Sequence, residues 1–234
     1  MHILENEFVI TRASDPEKPV VAPVKGINDE SAGRIVYYLG HIAQWEFTKN
    51  LHNPNTWLFK SHPVQIDVFQ VFDDGREELL PVLNDEIQAQ FTGQQNGLPI
   101  GRIKIKLTNK HSSKLHIALL YLSMNFEILT ELIPVGVMSL EPGSDYWILD
   151  GQAIDLSYEP EVELLKYPAS ITYLKIIAGT SYFDVSRYQL SALPSPVDEN
   201  ERRFSITRAG RTTPNTGDDW ITRLLTLSIP NPKL

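Results

Sequence analysis

The feature that most constrains this chain is a change of hydrophobic period. From Val64 onward the sequence alternates with period two. In "VQIDVFQVF", Val64, Ile66 and Val68 alternate against Gln65, Asp67 and Gln70, and in "IGRIKIKLTN", Ile103, Ile105 and Leu107 alternate against Arg102, Lys104 and Lys106. Successive strand side chains point to opposite faces, so this pattern specifies half-buried β-strands with one wet face. The runs "LHIALLYLSMN", "FEILTELIP", "EPGSDYWIL", "PASITYLKIIAG", "RRFSITRAG" and "DDWITRLLTLSIP" follow at roughly ten-residue spacing, divided by turn residues. Asp74–Gly75 is a hairpin turn, and "KHSSK" is a polar turn that joins the strands on either side of it as a pair. Some eight or nine short strands in this arrangement predict a mainly β chain, folded as an antiparallel immunoglobulin-like β-sandwich.

The first 62 residues read differently. "EFVITR" and "PVVAPVKG" are short β-like runs around the turn "ASDPEK". The one helical segment is "NDESAGRIVYYLGHIAQWEFTKNLHNP". Asn28 or Asp29 caps it, Asp29 and Glu30 suit its positive end, and Asn53–Pro54 stops it. Ile35, Leu39, Ile42 and Ala43 form its apolar stripe, widened by Val36, Trp45 and Phe47. The predicted organisation is a strand–helix segment over 1–62 packed on a β-sandwich over 63–234.

Composition removes whole classes of chemistry. There are no cysteines, so a thiolate nucleophile, a zinc–thiolate site and a disulfide framework are excluded; a cytoplasmic location is the simplest setting for such a chain. Lys and Arg number 21 against 29 Asp and Glu, a net charge of −8, which argues against broad nucleic-acid binding. No apolar run is long enough to span a membrane. The start lacks the basic and apolar regions of a signal peptide and enters a strand almost at once, as expected of a fragment of something longer.

No candidate site outweighs its ordinary structural reading. His2, His41, His52, His62, His111 and His116 lack metal-ligand spacing and read as surface or turn histidines. The sequence has no G-x-S-x-G elbow, and "PGSDYW" reads as turn chemistry. Asp73–Asp74, Asp218–Asp219 and "VDENE" read as solvated turn acids. Arg102, Lys104, Lys106, Lys110 and Lys114 make a basic face, read as a solubilising surface. No cofactor motif is present. What remains are candidates for interaction: Trp57, Trp147 and Trp220 as stacking surfaces, and Arg202, Arg203, Arg208 and Arg211 in the segment "ERRFSITRAGR".

The order of certain motifs adds a family resemblance. "HIAQW" (His41 to Trp45), the strand pair from Lys106 to Leu122, the Pro142–Gly143 turn and Leu174 to Thr180 occur in the order found after the peptidase domain of bacterial caspase-like proteins, the prokaryotic relatives of metacaspases. The chain resembles that non-catalytic β-rich region over most of its length. The resemblance implies an accessory or interaction module, not an enzyme. Its partner would be a caspase-like peptidase domain that it positions or regulates, or whose substrate it recruits, in a family linked to stress responses and antiviral defence. The peptidase's own His/Cys dyad has no counterpart here. The alternative is an independent ligand-binding sandwich for a carbohydrate or peptide, with the tryptophans as its platform.

Overall fold

The computed structural model describes residues 1–95, 97–157, 162, 165–196 and 218–233. The chain is mainly β. Five short N-terminal strands, β1 (His2–Leu4), β2 (Glu7–Val9), β3 (Thr11–Arg12), β4 (Asp15–Pro19) and β5 (Val24–Lys25), precede the helix α1 (Asp29–Lys49). The remaining strands are β6 (Val64–Val71), β7 (Glu77–Leu80), β8 (Glu86–Gln88), β9 (Gly93–Gln95), β10 (Leu98–Asn109), β11 (Leu115–Leu122), β12 (Ile128–Leu129), β13 (Met138–Leu140), β14 (Asp145–Trp147), β15 (Ile154–Ser157), β16 (Ala169–Gly179) and β17 (Trp220–Pro230).

Two six-stranded sheets form the sandwich. The front sheet runs β14-β10-β6-β7, with β9 and β15 also paired to β10; the back sheet runs β12-β11-β16-β17-β8, with β13 paired to β11. Among the described residues pairing is antiparallel except for β8, which lies parallel to β17. The expected alternation holds in β10, where Ile103, Ile105 and Leu107 are buried and Arg102, Lys104 and Lys106 face outward. The Asp74–Gly75 hairpin joins β6 to β7 as expected, with Gly75 at φ +83°. In β6 one assignment changes. Gln70 shares the inward parity of Val64, Ile66 and Val68 and is 2% exposed. Its amide is matched inside, donating to the Arg102 carbonyl (2.9 Å) and accepting from the Gln90 N–H (2.9 Å).

The centre of the back sheet, β11 and most of β16, is buried on both faces, and the sequence of β11 says why. Leu115, Ile117 and Leu119 pack toward the front sheet, while Ala118, Leu120 and Leu122 of the same strand join a second core with Ile35, Tyr38 and Trp45 of α1. A strand covered on both sides has no wet face, so β11 reads as a continuous apolar run and not as an alternation. The N-terminal segment is therefore a third layer. Burial of each large side chain there stabilises by about 1.5–3 kcal/mol, enough to seat the helix firmly.

The helix begins as expected and ends earlier. Asn28 is the cap, its side chain accepting from the Ser31 N–H at 2.9 Å. The last helical residue is Lys49, four residues ahead of Asn53. The Asn50 N–H turns back to the Glu46 carbonyl, and the Lys175 ammonium of β16 binds the Lys49 and Leu51 carbonyls, so the chain is captured before Pro54 can act. The buried face is Ser31, Ile35, Tyr38, His41, Trp45 and Thr48. Of the predicted stripe only Ile35 and Trp45 lie fully inside; Val36, Leu39 and Phe47 point outward.

The stretch from Arg102 to Leu122 is the other correction. β10 and β11 do not pair: β10 belongs to the front sheet and β11 to the back one. The turn between them is a corner that carries the chain across the sandwich. Asn109, fully buried, holds it, donating to the Ser113 and Leu140 carbonyls (both 2.9 Å) and accepting from the His111 N–H (2.8 Å). Among the described residues, no helix is long and apolar enough to cross a membrane.

Candidate functional site

The motif "HIAQW" places His41 and Trp45 one helical turn apart, on the face of α1 that meets the back sheet. His41 Nε2 lies 3.0 Å from the Phe126 carbonyl, and the Trp45 indole N–H donates to the Glu127 carbonyl at 3.3 Å. The indole also meets Phe126 and Tyr173 edge-on, at 5.5 and 5.8 Å. Burial lowers the His41 pKa, against a smaller opposing effect of its hydrogen bond. Both side chains thus clamp α1 to the turn after β11. His41 is a core histidine, not the surface residue expected.

The opposite face of α1 is the unusual one. From Ser31 to Thr48 its exposed positions are Ala32, Gly33, Val36, Leu39, Gly40, Ala43 and Phe47, with no charged or hydrogen-bonding side chain among them. Val36 is 69% exposed and Phe47 63%. Gly33 and Gly40 lie on this face, and a Cβ built on either meets no atom within 4 Å. Nothing within the described chain requires glycine there, although each glycine weakens a helix interior by about 1 kcal/mol relative to alanine.

A cavity of about 250 Å³ opens beside the other end of the helix, where three parts of the chain converge. Trp45, Ile171 and Tyr173 line it from α1 and β16, with Tyr167, Pro168 and Pro194 beside them, and the β3–β4 hairpin contributes Arg12, Asp15 and Lys18. Lys18 pairs with Asp15 (3.2 Å) and lies over the Tyr167 ring (4.9 Å).

The tryptophan candidates do not assemble into one platform. Trp147 lies on the outer face of the front sheet, against Phe69 (5.4 Å) and under the Lys106 ammonium (5.6 Å). Trp57 and Trp220 are drawn together by a residue that sequence reasoning misplaced. Asp219, expected to be a solvated turn acid, is 2% exposed. One carboxylate oxygen accepts from the Thr56 hydroxyl (2.8 Å) and the Trp57 and Leu58 N–H groups (3.0 and 2.7 Å); the other accepts from Asn53 Nδ2 (3.2 Å) and the Trp220 N–H (2.9 Å). Burial alone would raise its pKa, but the hydrogen bonds from Leu58, Thr56, Trp57 and Trp220 together lower it. The result fixes the 53–58 loop to the start of β17 and leaves the Trp57 side chain 73% exposed. No local pattern separates Asp219 from its solvent-facing neighbour Asp218, so nothing in the sequence signals this role.

The remaining candidates fall apart similarly. Arg202, Arg203, Arg208, Arg211 and the "VDENE" tract lie outside the described residues. The basic face of β10 is matched by carboxylates: Arg102 with Asp73 (2.7 Å), Lys104 with Glu77 (2.6 Å) and Lys106 with Asp67 (3.4 Å). His111 packs on Phe59, while His116 faces Ser139 and Tyr182. Among the described residues, no group of three or more His, Asp or Glu is placed to hold a metal ion. Comparison with family models and with curated proteins finds no match for this chain.

Proposed function

We propose that this chain is a non-catalytic interaction module that docks on a partner protein through the outward face of α1. The partner class proposed is the caspase-like peptidase domain, whose companion region the sequence resembles, in a cytoplasmic setting. One observation carries the docking role: the exposed positions of a 21-residue helix between Ser31 and Thr48 are all uncharged and apolar. A helix seated on a core by one face ordinarily carries polar residues on the most exposed part of the other. The second face of α1 is therefore suited to being covered. Val36 and Phe47 supply knobs, while Gly33, Gly40 and Ala43 let a partner backbone approach closely. The resemblance alone supports the choice of partner.

The test is co-expression with a bacterial caspase-like peptidase domain, followed by affinity capture with and without the double substitution Val36→Asp and Phe47→Asp. Capture of the peptidase by the unmodified chain, lost on the double substitution while the near-ultraviolet circular dichroism is kept, is the expected result. Capture unchanged by the two aspartates would overturn docking through α1. A peptidase whose activity and substrate choice are identical without this chain would overturn the accessory role.

A further inference from the structure

We infer that the cavity between the β3–β4 hairpin, α1 and β16 binds a peptide segment carrying an apolar side chain next to a carboxylate. This site is separate from the outward face of α1, and the two readings stand or fall independently.

Three features point to that ligand. The first is size and lining. About 250 Å³ accommodates one large side chain with adjoining main chain, and the residues lining it include Trp45, Tyr167, Tyr173, Ile171 and Met124. Aromatic and thioether walls favour an apolar or aromatic guest.

The second is rigidity. Pro19, Pro168, Pro194 and Pro196 all line the cavity, and each has its φ fixed by its ring. Trp45 is held from behind by its bond to the Glu127 carbonyl. A preformed wall lowers the ordering cost of binding.

The third is charge. Among the described residues, the charged groups lining the cavity are Arg12, Lys18 and Asp15. Asp15 pairs with Lys18 at 3.2 Å, while Arg12 is exposed and makes no ion pair with a carboxylate among the described residues. The described part of the rim thus carries two cations against one carboxylate in a chain whose net charge is −8. A guanidinium offers a planar fork matched to a carboxylate. An apolar guest whose carboxylate reaches Arg12 satisfies lining and rim together. That carboxylate is either a peptide C-terminus or the side chain of an acidic residue.

The experiment follows the Trp45 indole N–H resonance of the ¹⁵N-labelled chain during titration. The probes are acetyl-Leu-Phe as the free acid, acetyl-Leu-Phe-amide, and acetyl-Glu-Phe-amide. The free acid is expected to shift the Trp45 signal saturably, and the Leu-Phe amide to bind at least about tenfold more weakly. Arg12→Gln, an exposed substitution, is expected to reduce the acid's affinity to that of the amide while leaving the rest of the spectrum in place. Binding of the Glu-Phe amide as tight as that of the free acid supports the site and assigns the carboxylate to a side chain; tighter binding of the free acid supports it and assigns the carboxylate to a terminus. Equal binding of acetyl-Leu-Phe and its amide, affinity unmoved by Arg12→Gln, or no Trp45 shift at millimolar peptide would each overturn the proposal.

Discussion

Asp219 shows how much a single residue can contribute while being silent in the sequence. A carboxylate that is 2% exposed is tolerable only because donors surround it, and here five of them converge on its two oxygens. Asp219→Asn keeps the shape but removes the charge and turns one acceptor into a donor facing donors. The expected loss is about 2–3 kcal/mol of unfolding free energy, read as a lower urea midpoint, with faster amide exchange at Trp57 and Leu58. His62 makes a pH-dependent contribution. Burial, the largest cause, lowers its pKa from 6.5 to about 4, and its buried Nε2 has no hydrogen-bond partner among the described residues. The unfolded chain therefore binds a proton that the folded chain resists. The stability tied to neutral His62 is fully present above pH 6.5 and is lost as pH falls from there through about 4. Linkage puts the total on the order of 3 kcal/mol. Urea midpoints of the native chain and of His62→Gln, compared at pH 7 and pH 4.5, check this: the variant's midpoint should fall less.

At the scale of elements, α1 is the informative case. Its sequence announces a helix and a cap, but apolar residues surround it, so periodicity alone cannot choose the buried face. The turn after β11 chooses, through the carbonyls of Phe126 and Glu127 that receive His41 and Trp45. The rejected stripe of Val36, Leu39 and Phe47 becomes the outward face. Gly33→Ala and Gly40→Ala meet no neighbour within 4 Å, so each is expected to stabilise the isolated chain by about 0.5–1 kcal/mol. If α1 docks by close backbone approach, the same substitutions weaken partner capture. Thermal unfolding and affinity capture, run on the same pair of variants, separate the two effects.

Over the whole molecule, layering sets the order of stability. The back sheet lies between the front sheet and α1, whereas β1, β2 and β5 form a small sheet of their own. Amide exchange should therefore be slowest in β11 and β16 and fastest in β1 and β2. The corner at Asn109 ties the two main sheets together. Asn109→Ala strips the Ser113 and Leu140 carbonyls of their donor and frees the His111 N–H, and is expected to lower stability by about 2–4 kcal/mol. A loss under 0.5 kcal/mol in urea unfolding would show that the corner holds without it.

What the sequence by itself determined is what local chemistry can enforce. Period-two alternation specifies the inward Ile103, Ile105 and Leu107 and the outward lysines, Asp74–Gly75 makes a hairpin, and Asn28 caps a helix. Each depends on residues within a few positions of one another. Which strand pairs with which is a different kind of question. A turn such as "KHSSK" can join neighbours in one sheet or lead a chain from one sheet to the other, and both satisfy the same alternation. The choice lies in long-range packing, where β11 finds β16 on one edge, β12 and β13 on the other, and α1 on its far face. The same physics buried Asp219 beside Asp218 and brought Arg12, Trp45 and Tyr173 around one cavity. Those placements rest on groups far apart in the chain, so only the tertiary structure could decide them.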